Sequence, residues 1–159
     1  MKLAIIAVGS VREKSFQEAC ADYRKRMTLM RPVDVFEVRE ETTEDGASTA
    51  LIDKALEKEG ARIVKLFRPD DFIVVLALDG TRLDSESFAK KIDPAAYPGK
   101  KRMVFVLGGS HGLASAIHTQ SHWKLSFGPM TFPRQLAQVM LLEQLYRAQM
   151  ISLGRVYHK

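Results

Sequence analysis

Three short stretches dominated by apolar residues constrain the fold of this chain most strongly. They are Leu3–Val8, Phe72–Leu78 and Arg102–Leu107, and the first ends at a glycine, Gly9. Apolar runs of this length that do not alternate with polar residues are typical of central strands in parallel sheets, which are covered on both faces. Successive parallel strands need long crossovers between them, usually helical.

The segments between these runs have the patterns that such crossovers require. The remaining predicted elements are strands Val33–Val38 and Trp123–Ser126, helices Glu13–Arg26 and Thr49–Leu66, a short helix to Ile92 with Ser85 as its N-cap, and a helical stretch Leu113–Thr119. This alternation predicts an α/β fold, a mostly parallel sheet with helices on both faces. The length of 159 residues fits one domain spanning residues 1–159.

The last predicted helix is unusual because apolar residues surround it. Pro133 suits the first helical position, with Thr131 or Phe132 as the cap. The apolar residues that follow are Leu136, Ala137, Val139, Met140, Leu141, Leu142, Leu145, Tyr146, Ala148, Met150, Ile151 and Leu153. A helix apolar on all sides is buried on all sides. In a chain this small, we expect a homodimer with this helix at the interface; the alternative is packing within one subunit.

Charge and cysteine content limit the function classes only mildly. Lys and Arg number 24 against 19 Asp and Glu, a net charge of +5 that permits a phosphate-rich partner without requiring one. The single cysteine, Cys20, indicates a small buried residue and a reducing, cytosolic compartment. The N-terminal apolar run is too short to span a membrane. The histidines lack the spacing of a metal site, so we expect no metal.

The segment Gly108–Gly112 admits several interpretations. Its glycine spacing does not fit the dinucleotide fingerprint. It matches the G-x-S-x-G pattern of hydrolases, but no Asp follows Ser110 and the only later acid is Glu143. Two interpretations remain: a glycine turn that lets the backbone approach a ligand such as adenine or ribose, and a tight turn that binds nothing.

The other candidate site segments lie near the end of the chain. Gly128-Pro129 is a turn set among Phe127, Met130 and Phe132, so this loop either packs under another element or lines an apolar pocket. The terminal Arg155, Tyr157, His158 and Lys159 form either a disordered tail or a surface that stacks on a base and holds phosphates. On the last helix, Glu143 and Arg147 are spaced for a salt bridge, which we favour over a catalytic role.

These motifs together resemble the RlmH family of SPOUT-type ribosomal RNA large-subunit methyltransferases. The resemblance rests on Leu107-Gly108-Gly109, Leu125-Ser126-Phe127, Met130-Thr131-Phe132-Pro133, Leu142-Glu143-Gln144-Leu145-Tyr146-Arg147-Ala148 and Tyr157-His158-Lys159. The opening segment from Met1 to Gly9 and the chain length also agree.

The resemblance implies a fold, a reaction and a partner. The fold carries a deep C-terminal trefoil knot, and the protein is a homodimer with its site near the subunit interface. The reaction is methyl transfer from S-adenosyl-L-methionine to N3 of a pseudouridine in 23S ribosomal RNA of the assembled ribosome. The cofactor-binding residues that it implies are Leu76, Gly108, Phe127, Gly128, Pro129, Met130, Thr131 and Phe132.

The resemblance also directs attention to the catalytic candidates. Removing the N3 proton requires a base or a cation, and our candidates are His158, Arg134 and Arg155, with Tyr157 stacking on or orienting the base. The family usually has histidine where this chain has Arg134, and arginine where it has Gln138. Positions 134 and 138 lie on one face of the helix, so the exchange can keep one cation near the RNA. The alternative is that the protein is a non-catalytic ribosome-binding module with the same fold.

Overall fold

The computed structural model describes residues 1–157. It contains a five-stranded sheet in the order β2-β1-β4-β3-β5, with every adjacent pair parallel. The strands are β1 (Lys2–Val8), β2 (Val33–Val38), β3 (Asp71–Arg82), β4 (Arg102–Leu107) and β5 (Trp123–Ser126). The helices are α1 (Lys14–Met27), α2 (Thr49–Val64), α3 (Ser85–Lys91), α4 (Ser115–Gln120) and α5 (Arg134–Ser152), with a 3₁₀ turn at Pro94–Ala96.

The two faces of the sheet are covered by different helices, which explains the uninterrupted apolar strands. Alternate residues of β1 and β4, including Leu3, Ile5 and Phe105, pack in one core with residues of α1, α3 and α5. The intervening residues, including Ile6 and Val104, pack in a second core with α2 and α4. The predicted α/β fold with helices on both faces is therefore confirmed, as is the burial of Cys20 on the first face.

Strand β3 is longer than the sequence indicated. The apolar run that predicts this strand ends at Leu78, yet β3 continues to Arg82 and its register with β5 shifts between Leu76 and Thr81. A Cβ atom on Gly80 would lie 2.6 Å from the backbone carbon of Leu125. Because glycine has no side chain, the bulged strand can pass this close to β5 and continue.

The predicted N-caps of α3 and α5 are wrong. Asp84, rather than Ser85, is the N-cap of α3, because its carboxylate reaches the N–H of Ser87 at 2.6 Å. Pro133, rather than Thr131 or Phe132, is the N-cap of α5, because its ψ of 134° is extended and helical geometry begins at Arg134.

Helix α5 packs against α1 and α3 within the one chain. Its fully buried apolar residues are Leu141, Leu142, Leu145 and Ala148, and the other apolar positions of the helix are half-exposed. The buried Gln149 side chain accepts a hydrogen bond from the N–H of Arg31 (2.8 Å) and donates one to its carbonyl oxygen (3.1 Å). One side of α5 is thus covered by its own subunit, and the homodimer stays a prediction.

A buried ion pair closes the amino end of the sheet. The Arg102 guanidinium donates to both carboxylate oxygens of Asp71, at 2.8 Å and 2.6 Å, and to the carbonyl of Leu66 at 2.8 Å. The two side chains are only 5% and 1% exposed. Asp71 also accepts from the N–H of Arg68, so its charge is fully partnered.

His122 joins β5 to β3 at the same end. The ring Nδ1 of His122 accepts a hydrogen bond from the backbone N–H of Ile73 at 3.0 Å. The backbone N–H of His122 donates to the carbonyl of Ile73 at 2.8 Å. The ring stacks on Phe72, with centroids 4.9 Å apart. Burial and then the charge of Lys100 lower the pKa of His122, against the opposing effect of Asp71.

Candidate functional site

Residues 76–78 of β3 and the loops at the carboxyl ends of β4 and β5 meet around one cleft of about 900 Å³. In open parallel sheets this edge is where ligands bind. Of the eight residues expected to hold a cofactor, seven line the cleft: Leu76, Gly108, Phe127, Gly128, Met130, Thr131 and Phe132. The eighth, Pro129, is exposed and lies outside the lining. We call this space the glycine-loop cleft.

One wall of the cleft is the glycine loop, residues 108–112. The N–H of Gly112 donates to the carbonyl of Gly109 at 3.1 Å, and the two residues form an isolated bridge. A Cβ on Gly108 would lie 2.4 Å from the carbonyl oxygen of Gly112, so the turn closes only with glycine at position 108. Gly112 itself has a φ of +86°, which also favours glycine.

The opposite wall is the segment 126–133. The buried Ser126 hydroxyl accepts the N–H of Gly128 at 3.1 Å and lies 3.2 Å from the carbonyl oxygen of Leu78. Gly128 has a φ of +121°, so the turn is a glycine turn as the sequence indicated. Phe127 and Phe132 are half-buried and line the cleft, whereas Met130 is 67% exposed. The apolar residues of this loop thus form a pocket wall.

A second cleft of about 1110 Å³ lies on the other side of the glycine loop. It is lined by α2 and by the segment between β2 and α2, and Glu40, Ser110, His111, Arg134 and Gln135 line both clefts. Glu40 is not among the site residues predicted from the sequence. Its position just after the carboxyl end of β2 was the available signal, because that edge of a parallel sheet is where sites form.

Glu40 is the ionised group at the boundary of the two clefts. Its Oε1 accepts the N–H and the hydroxyl of Ser110, at 3.1 Å and 2.8 Å. Burial acts to raise the pKa of this carboxyl, but the bonds from Ser110 and the charges of Arg134 and Arg12 outweigh it and lower the pKa below its ordinary value.

Arg134 is tied to the loop between β1 and α1. Its Nη1 donates to the carbonyl of Gly9 at 3.2 Å and its Nη2 to that of Ser10 at 2.6 Å. Burial lowers the pKa of its guanidinium, although Glu40 and Glu37 oppose the shift. One turn further along α5, Gln138 is 3% exposed, and its Oε1 has no hydrogen-bond partner among the described residues. The cation, Arg134, therefore lies at the boundary of the two clefts, and the neutral Gln138 lies in the interior.

Gln135 caps a helix distant from it in sequence. Its Oε1 accepts the N–H of Arg12 at 2.6 Å and that of Glu13 at 3.1 Å, immediately before α1. Glu13, the N-cap residue of α1, makes no side-chain capping bond of its own. Sequence reasoning missed this contact because no local pattern signals a cap supplied by another helix.

The tail residue Tyr157 packs on α5 of its own chain. Its hydroxyl donates to Glu143 Oε1 at 3.3 Å, its ring meets that of Tyr146 edge-on at 4.8 Å, and the guanidinium carbon of Arg147 lies 4.8 Å from its centroid. Burial, with contributions from Tyr23 and Glu143, raises the pKa of Tyr157 to about 12. Arg147 and Glu143 form the expected salt bridge, 2.7 Å between Nη2 and Oε1.

The tail residues Arg155 and Tyr157 do not lie in the glycine-loop cleft. Neither Tyr157 nor the exposed Arg155 belongs to the residues that line it. The N–H of Arg155 instead donates to the carbonyl of Met150 at 2.9 Å, which ends α5. His158, the first of the catalytic candidates, lies outside the described residues.

The contacts of Ser110 and His111 do not form a nucleophile and base pair. Within residues 1–157 the Ser110 hydroxyl donates to Glu40, and Nε2 of His111 is hydrogen-bonded to the Thr43 hydroxyl at 2.7 Å. The same residues contain no group of three His, Cys, Asp or Glu side chains arranged for a metal. No helix among them has the length and apolar character needed to cross a membrane.

Comparison with known proteins gives consistent matches over the full length. The family model described as "Predicted SPOUT methyltransferase" matches residues 1–158. A "Putative ribosomal RNA large subunit methyltransferase H" of Methanococcus maripaludis is 43% identical over 159 residues, which is 100% of both chains. A "Ribosomal RNA large subunit methyltransferase H" of Bifidobacterium adolescentis has the same identity and coverage.

Solved structures agree in fold at low sequence identity. A probable methylase family protein of Haemophilus influenzae Rd KW20 superposes with a TM-score of 0.55 and 19% identity, over 99% of this chain and 70% of that one. A probable methyltransferase of Bordetella pertussis Tohama I superposes with a TM-score of 0.51 and 14% identity, over 93% and 94%. At these identities the likeness concerns the fold alone.

Proposed function

The chain belongs to the SPOUT methyltransferase family, and from this premise we propose that it transfers a methyl group from S-adenosyl-L-methionine to ribosomal RNA of the large subunit. The observation that carries the proposal is the meeting of the two predicted loops around one cleft at the carboxyl edge of the sheet. The full-length relatives named as ribosomal RNA large subunit methyltransferases support the same reaction and substrate class.

The glycine-loop cleft fits the methyl donor. Its volume of about 900 Å³ lies in the range of small-molecule sites. Leu76, Phe127 and Phe132 offer apolar surface to an adenine ring, and the glycine loop offers backbone groups without intervening side chains. When bound, S-adenosylmethionine supplies a methyl group on a positively charged sulfur. Gly108, Gly128, Met130 and Thr131 are the other assigned residues that line the cleft.

The target is N3 of a pseudouridine in 23S ribosomal RNA of the assembled ribosome. Methyl transfer in line requires correct positions of donor and acceptor above all. A base or cation must deal with the weakly acidic N3–H, and His158, Arg134 and Arg155 are the candidates. With a pKa of about 12, the Tyr157 phenol stays protonated at neutral pH. It therefore stacks or donates a hydrogen bond and does not act as the base.

The active form is a homodimer that packs through α5. Support comes from the half-exposed apolar side of α5 and an adjoining groove of about 630 Å³, whose lining includes Leu83, Phe127, Val139 and Met140. A second subunit there covers apolar surface next to the glycine-loop cleft. It also offers a route by which the tail of one subunit meets the cleft of the other.

The C-terminal part of the chain forms the trefoil knot that the resemblance to the RlmH family implies. Support comes from the path of the chain. Strand β5 lies at the sheet edge beside β3, and α5 then packs against α1 and α3 on the face of the sheet that these two helices cover.

A direct assay tests the proposal. Purified protein, labelled S-adenosylmethionine and ribosomes lacking the modification should give labelled 23S RNA. Calorimetry should detect binding of S-adenosylhomocysteine, and its absence would overturn the assigned donor cleft. Labelling at a nucleotide other than pseudouridine N3 would keep the activity and correct the target.

The second candidate is a non-catalytic ribosome-binding module. Both carbonyl contacts of Arg134 favour a structural use of this cation, and Gln138 carries no charge at the position where the family usually has arginine. Ribosome binding without methyl transfer, at donor concentrations that saturate the cleft, would select this function.

A further inference from the structure

The segment between β2 and α2 contacts the glycine loop at two points. Glu40 accepts two hydrogen bonds from Ser110, one from the N–H at 3.1 Å and one from the hydroxyl at 2.8 Å. The Thr43 hydroxyl meets Nε2 of His111 at 2.7 Å. We call residues 39–43 the brace.

The brace is itself fastened to α2. The Glu59 carboxylate, 4% exposed, accepts the N–H of Glu41 at 2.8 Å. The Arg62 guanidinium donates to the carbonyl of Arg39 at 2.8 Å and pairs with Glu41. Because α2 holds Arg39 and Glu41, the residues on either side of Glu40, the backbone that carries Glu40 is fixed.

Two glycines make the room that the Glu40 carboxylate occupies. A Cβ on Gly109 would lie 2.9 Å from its Oε1, and a Cβ on Gly9 would lie 3.0 Å from its Oε2. These glycines follow β4 and β1, which are neighbours in the sheet. The carboxylate therefore sits between two adjacent strand ends, where a side chain at either glycine would collide with it.

We infer that Glu40 is a positioning residue for methyl transfer, which holds the glycine loop in the conformation that binds the methyl donor. Glu40 acts through Ser110, by fixing the backbone that follows Gly108 and Gly109. The inference rests on the proposed function, because it assigns the glycine loop to the donor. Hydrogen bonds to a charged group contribute more than neutral ones. Without the Glu40 carboxylate, the exposed N–H and hydroxyl of Ser110 bond to water, so the brace no longer holds the glycine loop.

Two substitutions and a matched control test this role. Glu40→Ala removes both acceptor oxygens, whereas Glu40→Gln keeps an amide oxygen that can accept from Ser110. Asp70→Ala serves as the control, because Asp70 pairs with Lys101 at 2.9 Å and, like Glu40, has a lowered pKa. Asp70 precedes β3 at the opposite end of the sheet.

Calorimetry with S-adenosylhomocysteine gives the first readout. We expect Glu40→Ala to weaken binding about tenfold or more, Glu40→Gln to stay within about threefold of the wild type, and Asp70→Ala to bind as the wild type does. In the methyl-transfer assay, Glu40→Ala should raise KM for the donor while kcat at saturating donor stays within about twofold. Wild-type affinity in Glu40→Ala, or an equal loss in Asp70→Ala, would overturn the inference.

Hydrogen exchange provides a readout that does not depend on any ligand. The amide of Ser110 should exchange faster in Glu40→Ala than in the wild type, and Glu40→Gln should restore most of its protection. Unchanged exchange would overturn the inference even if the protein is a methyltransferase. Failure of the wild type to bind S-adenosylhomocysteine would instead count against the proposed function.

Discussion

The two ends of the parallel sheet use charged side chains for opposite purposes. At the amino end, Arg102 and Asp71 satisfy each other in the interior and close the sheet. At the carboxyl end, Glu40 and Arg134 bind the backbone of neighbouring loops and stand between two open clefts. The buried ion pair at the amino end and the charged residues that line the clefts at the carboxyl end are thus separate sets of residues. Stability and ligand binding should therefore respond to different substitutions.

Breaking the closed end should give the largest effect on stability. Arg102→Met leaves the Asp71 carboxylate buried without its cation, which typically costs about 3–5 kcal/mol of unfolding free energy. Urea unfolding measures this loss. Lys101→Met is the matched control, since its pair with Asp70 is exposed to solvent and contributes little to stability. A loss below about 1 kcal/mol in Arg102→Met would contradict the contrast between the two ends.

Breaking the open end should affect ligand binding first. In Gly108→Ala the new Cβ would meet the carbonyl oxygen of Gly112 at 2.4 Å, so the glycine loop must move. We expect S-adenosylhomocysteine affinity to fall about tenfold or more, and stability to fall by about 1–3 kcal/mol.

Gly99→Ala controls for the loss of stability in this experiment. Gly99 has a φ of +83°, but its Cβ would meet nothing within 4 Å. It should lose about 1 kcal/mol with unchanged affinity. Equal affinities in the two variants would show that the turn at Gly108 does not shape the donor site.

A smaller effect should follow from removing the cap that α5 supplies to α1. Gln135→Ala deletes the acceptor for the N–H groups of Arg12 and Glu13, and the expected cost is about 1 kcal/mol in urea unfolding. Gln120→Ala is the control, because Gln120 is exposed and its side chain donates to the carbonyl of Ala116, one turn earlier in its own helix. If the two variants unfold alike, the Gln135 contact contributes nothing to α1.

The smallest effect should appear in the pH dependence of the unfolding free energy, through His122 at the amino end of the sheet. The folded-state pKa of His122 is lowered, so neutral His122 stabilises the fold above its ordinary pKa of 6.5, and this contribution is lost as the pH falls through the folded-state value. Unfolding free energy should therefore decline more between pH 7 and pH 5 in the wild type than in His122→Asn. An identical decline in the two proteins would contradict this assignment.

The sequence predicted the sheet well because the strand signals are local. The bounds of β2, β4 and β5 agree with the prediction, since apolar or alternating residues stop at proline, glycine or polar residues there. The end of β3 was missed because Asp79-Gly80 is a turn signal whose glycine instead permits a close approach to β5. Helix caps were displaced because serine, aspartate and proline are all acceptable near a helix start.

The candidate site was predicted in part for the same reason. Glycine and aromatic loops after parallel strands are visible in the sequence, and seven of their eight assigned residues line one cleft. Glu40 was not predicted, because its partner Ser110 is 70 positions away and no local pattern links them. The location of Tyr157 on its own α5 was also unforeseen, since it depends on Glu143, Tyr146 and Arg147 acting together.

The contact between Gln135 and the start of α1 has a consequence for how the chain is made. Gln135 is separated by 123 positions from Arg12, whose N–H it accepts. During translation, the N–H groups of Arg12 and Glu13 therefore lack this acceptor until nearly the whole chain has been made. The central pairing of β1 with β4 imposes a similar delay. Folding dominated by such distant contacts is slow, so we expect the native state to form only after release from the ribosome.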